Sequence, residues 1–152
     1  MHWIIKSFEE LTNNELYDLL KLRCDVFIVE QTCYYPDLDD KDRVSTTKHV
    51  LAYDNGELKA YSRILAPEVS YPEHASIGRV IVLPETRGTG LGHTLMNKSN
   101  EQIAIMWPAS PCKISAQYHL KEFYQQHGFS CIGDSYLEDG IPHIAMVKAP
   151  HC

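Results

Sequence analysis

The sequence predicts an α/β fold in which a mixed sheet of about seven, mostly antiparallel strands is covered by helices on both faces. Three observations favour this class. Apolar β-rich runs alternate with amphipathic helical runs, an Asn-Gly pair joins two of the β-rich runs, and neither an internal repeat nor a low-complexity linker interrupts the chain.

The first elements follow from local signals. A short apolar run predicts a strand over 2–8, and Thr12 and Glu15 have the spacing of a capping box that opens a helix over 13–29. A proline and four aspartates within 34–42 predict a loop.

The later elements are predicted in the same way. Asp54-Asn55-Gly56 is typical of a tight turn between two strands within 49–66. After it we expect a strand over 76–83, a helix ending near Trp107, a strand over 112–117, a short helix closed by Gly128, and two final strands joined by a turn at 137–140.

Length, composition and charge restrict the class of protein. With 152 residues, 44% of them hydrophobic, the chain is expected to form one domain over 1–152. We see neither a membrane-spanning run nor a signal-peptide pattern, and we expect a cytoplasmic location. The net charge of −6 disfavours nucleic acid as the main partner. Residues 1–50 hold 10 acidic and 6 basic side chains, which either attract a cationic substrate or form an ordinary solvated surface.

Neither the five cysteines nor the aspartate-rich loop has the spacing of metal ligands. The cysteines form no C-x-x-C pair. In an EF-hand beginning at Asp37, Asp42 would occupy the position that requires glycine, and Lys48 the position that requires glutamate. We therefore expect no metal site.

The segment Arg87–Gly92, here called the glycine loop, is the most informative part of the sequence. Three glycines between a strand and a helix let a ligand approach backbone N–H groups at the positive end of the helix dipole. Arg87 adds a cation whose geometry suits phosphate oxygens. A tight turn is the alternative interpretation. The spacing matches neither a P-loop nor a dinucleotide fingerprint.

The glycine loop resembles the R/Q-x-x-G-x-G/A motif of the GNAT acetyltransferases, and it follows a strand that ends at 79–82, as in that family. The segment 123–129 is similar to the family's F-Y-x-x-x-G-F segment. Resemblance to the ElaA-like branch covers nearly the whole chain, through Leu22–Phe27, Val29–Gln31, Ala116-Gln117, His119-Leu120 and Asp139–His143.

This resemblance implies an acetyl-CoA-dependent N-acyltransferase in which two central strands splay apart to admit the cosubstrate. The implied pantetheine contacts are the backbone amides of Val80, Ile81 and Val82, and the amide of Val82 would also polarise the thioester carbonyl. The implied pyrophosphate contacts are Arg87, Gly88, Thr89, Gly90, Leu91 and Gly92. Homodimers are common in the family.

Catalytic roles are assigned from the same resemblance. Tyr124 matches the family tyrosine whose hydroxyl lies near the thioester sulfur, so it is expected to touch the cosubstrate and act as general acid; the alternative is a packed core aromatic. Glu30 and His119 are the candidates for the base that takes the amine proton. The alternatives are a capping role or an ion pair for Glu30 and a capping role for His119.

Acceptor contacts are assigned to Glu30, Gln117 and His143. For His143, whose position in the strand sets it opposite Ile144, a structural role is the competing interpretation. The sequence thus favours acetyl transfer to a primary amine of a small molecule or peptide. A CoA-binding sensor without turnover, or a nucleotide-binding protein, are the alternatives.

Overall fold

Seven strands form two antiparallel sheets in the computed structural model, which describes residues 1–150. The strands are β1 (His2–Lys6), β2 (Lys48–Asp54), β3 (Glu57–Leu65), β4 (Ser76–Val82), β5 (Cys112–Gln117), β6 (Ser130–Glu138) and β7 (Ile141–Lys148). The order is β1-β2-β3-β4 in the first sheet and β5-β7-β6 in the second. The Asn-Gly turn joins β2 to β3, as predicted.

The helices are α1 (Asn13–Arg23), α2 (Leu91–Met106) and α3 (Lys121–Gln125). The predicted capping box opens α1: the Thr12 hydroxyl accepts the Glu15 N–H at 3.1 Å, and the Glu15 carboxylate accepts the Thr12 N–H at 2.9 Å. The helix predicted over 13–29 is α-helical only to Arg23, after which Cys24–Glu30 is a π-helix. No helix in residues 1–150 is both long enough and apolar enough to span a membrane.

Each face of the four-stranded sheet buries its own apolar cluster, so the prediction of helices on both faces is confirmed. On one face α1 packs against Leu51, Tyr61 and Ile81. On the other face α2 and α3 pack against a cluster that includes Val50 and Ile64 and continues into the three-stranded sheet. Side chains along one strand alternate between the clusters because a strand has a two-residue repeat.

The two sheets meet at one end only. Ala75 and Cys112 form an isolated parallel bridge, in which Lys113 N–H donates to Ala75 O at 2.8 Å. Beyond that bridge β4 pairs with β3, β5 pairs with β7, and β4 and β5 diverge as a wedge. A shift of register between β3 and β4 marks a bulge, at which Arg79 has a φ of +50°. Bulges bend and twist a strand locally, so this one contributes to turning β4 away from β5.

Candidate active site

The wedge between β4 and β5 contains a cavity of about 360 Å³. Its walls are formed by strands of both sheets, by the π-helix and the loop that follows it, and by the residues of the β6–β7 turn. Among the residues selected from sequence, Val80, Gln117, Tyr124 and His143 line this cavity together. Four candidates from four different elements, β4, β5, α3 and β7, therefore share one site.

The edge of β4 that faces the wedge has backbone groups free for a ligand. Leu83 N–H donates to Lys59 O at 2.9 Å, and Ile81 pairs with Tyr61. Because bonded and non-bonded pairs alternate along an antiparallel ladder, Ile81 turns its N–H toward β3, whereas Val80 and Val82 turn theirs toward the wedge. Of the three strand residues implied as pantetheine contacts, Val80 and Val82 therefore have available amides.

The glycine loop lies where β4 ends and α2 begins. Gly88 and Gly90 have φ values of +86° and +85°, and a Cβ atom on either would meet nothing within 4 Å. Positive φ thus accounts for two of the three glycines, and the space beside them is open to a ligand. No side chain caps α2, whose first intrahelical bond is Thr94 N–H to Gly90 O at 3.2 Å. The N–H groups that precede Thr94 in the helix have no intrahelical acceptor, so they can donate to a phosphate.

Arg87 and Glu30 form an ion pair with N–O distances of 2.9 and 3.2 Å. The Arg87 Nε–H also donates to Val82 O at 2.9 Å, so this guanidinium links the end of the π-helix to the open edge of β4. Both side chains are well exposed. Glu30 lies beside the glycine loop and outside the cavity lining, and His119 is exposed on the turn before α3, also outside the lining.

Tyr124 lies on α3 with only 8% of its surface exposed. Its hydroxyl has no hydrogen-bond partner within residues 1–150, and burial alone raises its pKa to about 12. The phenol is therefore protonated at neutral pH, and its proton is uncommitted. A protonated, unpartnered hydroxyl in a cavity is chemically suited to donate a proton to a leaving group.

His143 and Gln117 face each other across the β5–β7 ladder. Both lie on the face opposite the apolar cluster that contains Ile144, which agrees with the alternation read from the sequence. Gln117 Nε2 lies 3.3 Å from Gln31 Oε1, at the end of the π-helix. His143 is nearly buried and contacts Glu138 on β6.

A buried aspartate–arginine network forms one wall of the cavity, and sequence reasoning indicates only its member Arg79, whose place among β-branched residues predicts a partly buried ion-pair partner. Its members are Arg23, Asp37, Asp39, Asp42, Arg63 and Arg79. At its centre, Asp37 binds Arg23 at 2.8 Å and Arg79 at 2.9 Å. A further sequence signal for the network is Arg23, which occupies a position of α1 where the helical spacing otherwise places apolar residues. The aspartate-rich loop supplies its carboxylates, so that loop is ordered by arginines.

The network makes folding stability depend on pH. Partial burial would raise the pKa of Asp39, but the hydrogen bonds and charge of Arg63, with the charge of Arg79, hold it at about 2. The contribution of Asp39 to the free energy of unfolding is fully present above the pKa of this carboxyl in the unfolded chain, and it is lost as the pH falls toward 2. We expect roughly 1–2 kcal/mol to be lost between pH 5 and pH 2 in urea unfolding. Asp39→Asn should flatten this part of the curve; an unchanged slope would contradict the assignment.

Comparison with known proteins agrees with this geometry. A sequence model of the acetyltransferase (GNAT) domain matches residues 25–150. Escherichia coli K12 ElaA is 44% identical over 148 residues, which cover 97% of this chain and 96% of ElaA. The crystal structure of an acyl-CoA N-acyltransferase from Pseudomonas aeruginosa matches at a TM-score of 0.92 and 42% identity, covering 98% of this chain and 100% of that one.

A more distant match concerns the fold alone. The crystal structure of an aminoglycoside 6'-N-acetyltransferase complexed with coenzyme A has a TM-score of 0.72 at 16% identity, with 96% of each chain covered. The family model and the match to the acyl-CoA N-acyltransferase structure support an acyl-CoA-dependent acyltransferase. The chain belongs to the GNAT acetyltransferase family, in the branch that contains ElaA.

Proposed function

We propose that the protein transfers an acetyl group from acetyl-CoA to a primary amine of a small molecule or peptide by direct attack on the thioester. The observation that carries the proposal is the wedge, which unites three features in one place. These are the open amide edge of β4, the uncapped start of α2 beside the glycine loop, and the free hydroxyl of Tyr124.

The donor fits this arrangement along its whole length. Pantetheine carries amide groups, which pair with the N–H of Val82 and the C=O of Val80 as a strand partner would; the C=O of Val82 already accepts from Arg87. The pyrophosphate suits the N–H groups at the start of α2 and the guanidinium of Arg87. With these contacts made, the thioester lies toward Tyr124, and the rest of the cavity is left for the acceptor.

The chemistry needs a polarised carbonyl and a proton for the leaving group. The N–H of Val80, which lines the cavity together with Tyr124, supports the first requirement in place of the Val82 N–H, because a fixed donor stabilises negative charge that develops on the carbonyl oxygen. Tyr124 supplies the second by donating its proton to the CoA sulfur as the C–S bond breaks. All four cysteines within residues 1–150 are unpaired, which suits the reducing cytoplasm we propose as the location.

Thermal unfolding with acetyl-CoA, CoA, ATP and NAD tests the donor. A ligand at 100 times its Kd stabilises by about 2.7 kcal/mol, which raises the Tm of a chain this size by roughly 5–10 °C. We expect the CoA compounds alone to do so. Thiol release from acetyl-CoA is then measured with a panel of primary amines: an alkylamine, a diamine, an amino-acid amide, an aminoglycoside and a lysine peptide.

The same two measurements separate the alternatives. Stabilisation by CoA without thiol release for any amine would favour a CoA-binding sensor. Stronger stabilisation by ATP than by CoA would favour a nucleotide-binding protein. Stabilisation by none of the four ligands would remove the CoA site from the proposal.

Arg87→Glu is expected to weaken CoA binding by roughly 10- to 100-fold, because it removes a charge-assisted hydrogen bond worth about 1.5–3 kcal/mol and leaves two carboxylates beside the phosphates. Isothermal titration with CoA measures the change. Arg43→Glu is the matched control, since it makes the same charge change at an exposed arginine outside the cavity lining. Equal Kd values for Arg87→Glu and the wild type would contradict the pyrophosphate assignment.

A further inference from the structure

The proposed reaction also requires a base, and two of the sequence candidates are badly placed for that role. Glu30 is bound to Arg87 outside the cavity lining, and His119 is on the surface. Asp39 lines the cavity, but its carboxylate accepts from Arg63, Arg79 and the Lys41 N–H. The base must therefore come from another wall of the cavity.

The wall formed by the three-stranded sheet presents His143 in a defined tautomer. Its Nδ1 lies 2.7 Å from the carbonyl oxygen of Ile141. A carbonyl oxygen only accepts, so Nδ1 carries the proton and the neutral ring has its lone pair on Nε2. The ring also stacks on Tyr136, with 6.3 Å between centroids and 23° between planes, which fixes its orientation.

Glu138 is placed to stabilise positive charge on that ring. Its Oε2 lies 3.4 Å from His143 Nε2. Its other oxygen accepts the hydroxyl proton of Ser115 at 3.2 Å, and Ser115 in turn bonds the Tyr136 hydroxyl. The carboxylate is thus oriented by β5 and β6, and because it is 49% exposed it also has contact with solvent.

The other charged groups that line the cavity are Asp39, Lys41, Arg63 and Arg79, on the side of the four-stranded sheet, and Asp139 in the β6–β7 turn. Asp39 is paired with Arg63 and Arg79, and Lys41 donates to Ser70 Oγ at 2.8 Å. Glu138 is the carboxylate in contact with the imidazole.

We infer that His143 is the general base of the proposed acetyl transfer and that Glu138 is its positioning residue, an inference that rests on the proposed function. The neutral amine attacks the carbonyl carbon. As the C–N bond forms and the C–S bond breaks, the surplus proton on nitrogen passes to His143 Nε2, and the CoA sulfur takes the proton of Tyr124. The imidazolium then returns a proton to the tyrosinate through water, and both groups regain their starting state.

The test compares His143→Gln and Glu138→Gln with the wild type. Glutamine keeps a donor for the Ile141 carbonyl but cannot take a proton at neutral pH. We expect His143→Gln to lower kcat by about 10²- to 10³-fold, as is usual for loss of a general base, with the KM for acetyl-CoA unchanged. Glu138→Gln should lower kcat by about tenfold. His74→Gln is the matched control, because His74 Nδ1 also lies against a backbone carbonyl, that of Pro72 at 2.8 Å, but outside the cavity lining; it should stay within about twofold of the wild type.

Two readouts distinguish a base from a structural residue. With a weakly basic acceptor amine, whose own ionisation does not interfere, the acidic limb of the wild-type kcat profile should be absent in His143→Gln. The loss in kcat should also shrink with 2,2,2-trifluoroethylamine, a weakly basic amine whose adduct loses its proton readily without a base. CoA-dependent thermal stabilisation checks that each variant is folded. Should His143→Gln unfold, Glu138→Gln, at an exposed position, keeps the inference testable: its loss in kcat should likewise shrink with 2,2,2-trifluoroethylamine, and a full wild-type kcat would overturn the inference.

Two outcomes overturn different claims. If His143→Gln keeps the wild-type kcat and pH profile, the inference is wrong and the acetyltransferase proposal stands. If the wild type releases no thiol with any amine of the panel, the proposed function fails, and the inference fails with it.

Discussion

Tyr124→Phe is expected to lower kcat by about 10²- to 10³-fold while the Kd for CoA stays within about twofold of the wild type. The hydroxyl is the only group removed. It has no hydrogen-bond partner within residues 1–150, and its raised pKa of about 12 keeps it protonated and able to donate. The variant therefore loses proton donation to the CoA sulfur and keeps the packing of the ring. Steady-state thiol release with isothermal titration of CoA measures both quantities.

Folding stability is the control for this substitution. Because no hydrogen bond is lost, the Tm of Tyr124→Phe should equal that of the wild type or exceed it slightly. Tyr17→Phe, at a tyrosine that is 70% exposed on α1, should change neither kcat nor Tm. A Tyr124→Phe variant with wild-type kcat would remove this residue from the mechanism.

Arg23→Met is expected to cost about 3–5 kcal/mol of folding free energy, the usual penalty for breaking a buried ion pair from one side. Arg23 is fully buried and donates to the Asp37 carboxylate at 2.8 Å, to the Asp37 carbonyl at 2.9 Å and to the Asp42 carboxylate at 2.7 Å. Methionine fills much of the volume but leaves Asp37 Oδ2 without its donor, and it removes one of the two arginine donors from the Asp37 carbonyl and from the Asp42 carboxylate. The Tm should fall by roughly 10 °C or more.

Lys21→Met provides the comparison on the same helix. Lys21 pairs with Asp25 at 2.7 Å, but the two side chains are 64% and 52% exposed. An exposed pair at this spacing contributes about 0.3–0.5 kcal/mol, so this variant should unfold close to the wild type. If urea unfolding gave equal losses for the two variants, the buried network would not be a stabilising feature of the fold.

Much of the fold was predictable because its signals are local. The capping box at Thr12 and Glu15, the Asn-Gly turn and the strand–glycine–helix segment each depend on residues that are neighbours in the chain. The π-helix was not predictable from the apolar periodicity, since Val26 and Phe27 keep a spacing that an α-helix also satisfies.

The site was predictable only in part, because its contacts join distant segments. Glu30 and Arg87 are 57 positions apart, and Asp37 and Arg79 are 42 positions apart. Sequence alone contains no signal for which carboxylate meets which guanidinium. The positive φ of Arg79 likewise arises from the bulge, where Asp37 and the ring of Tyr35 hold its side chain.

Two consecutive residues at the end of the π-helix, Glu30 and the following Gln31, contact different sheets. Glu30 binds Arg87 beyond the end of β4, and Gln31 binds Gln117 at the end of β5. At their other ends the same two strands are joined by backbone bonds at Ala75. Main-chain hydrogen bonds thus hold the closed end of the wedge, and two side-chain contacts, the exposed Glu30–Arg87 pair and the partly buried Gln31–Gln117 pair, span its open end. If the wedge widened to admit a bulkier acyl chain, the side-chain contacts at its open end would break first, because main-chain hydrogen bonds hold the other end at Ala75.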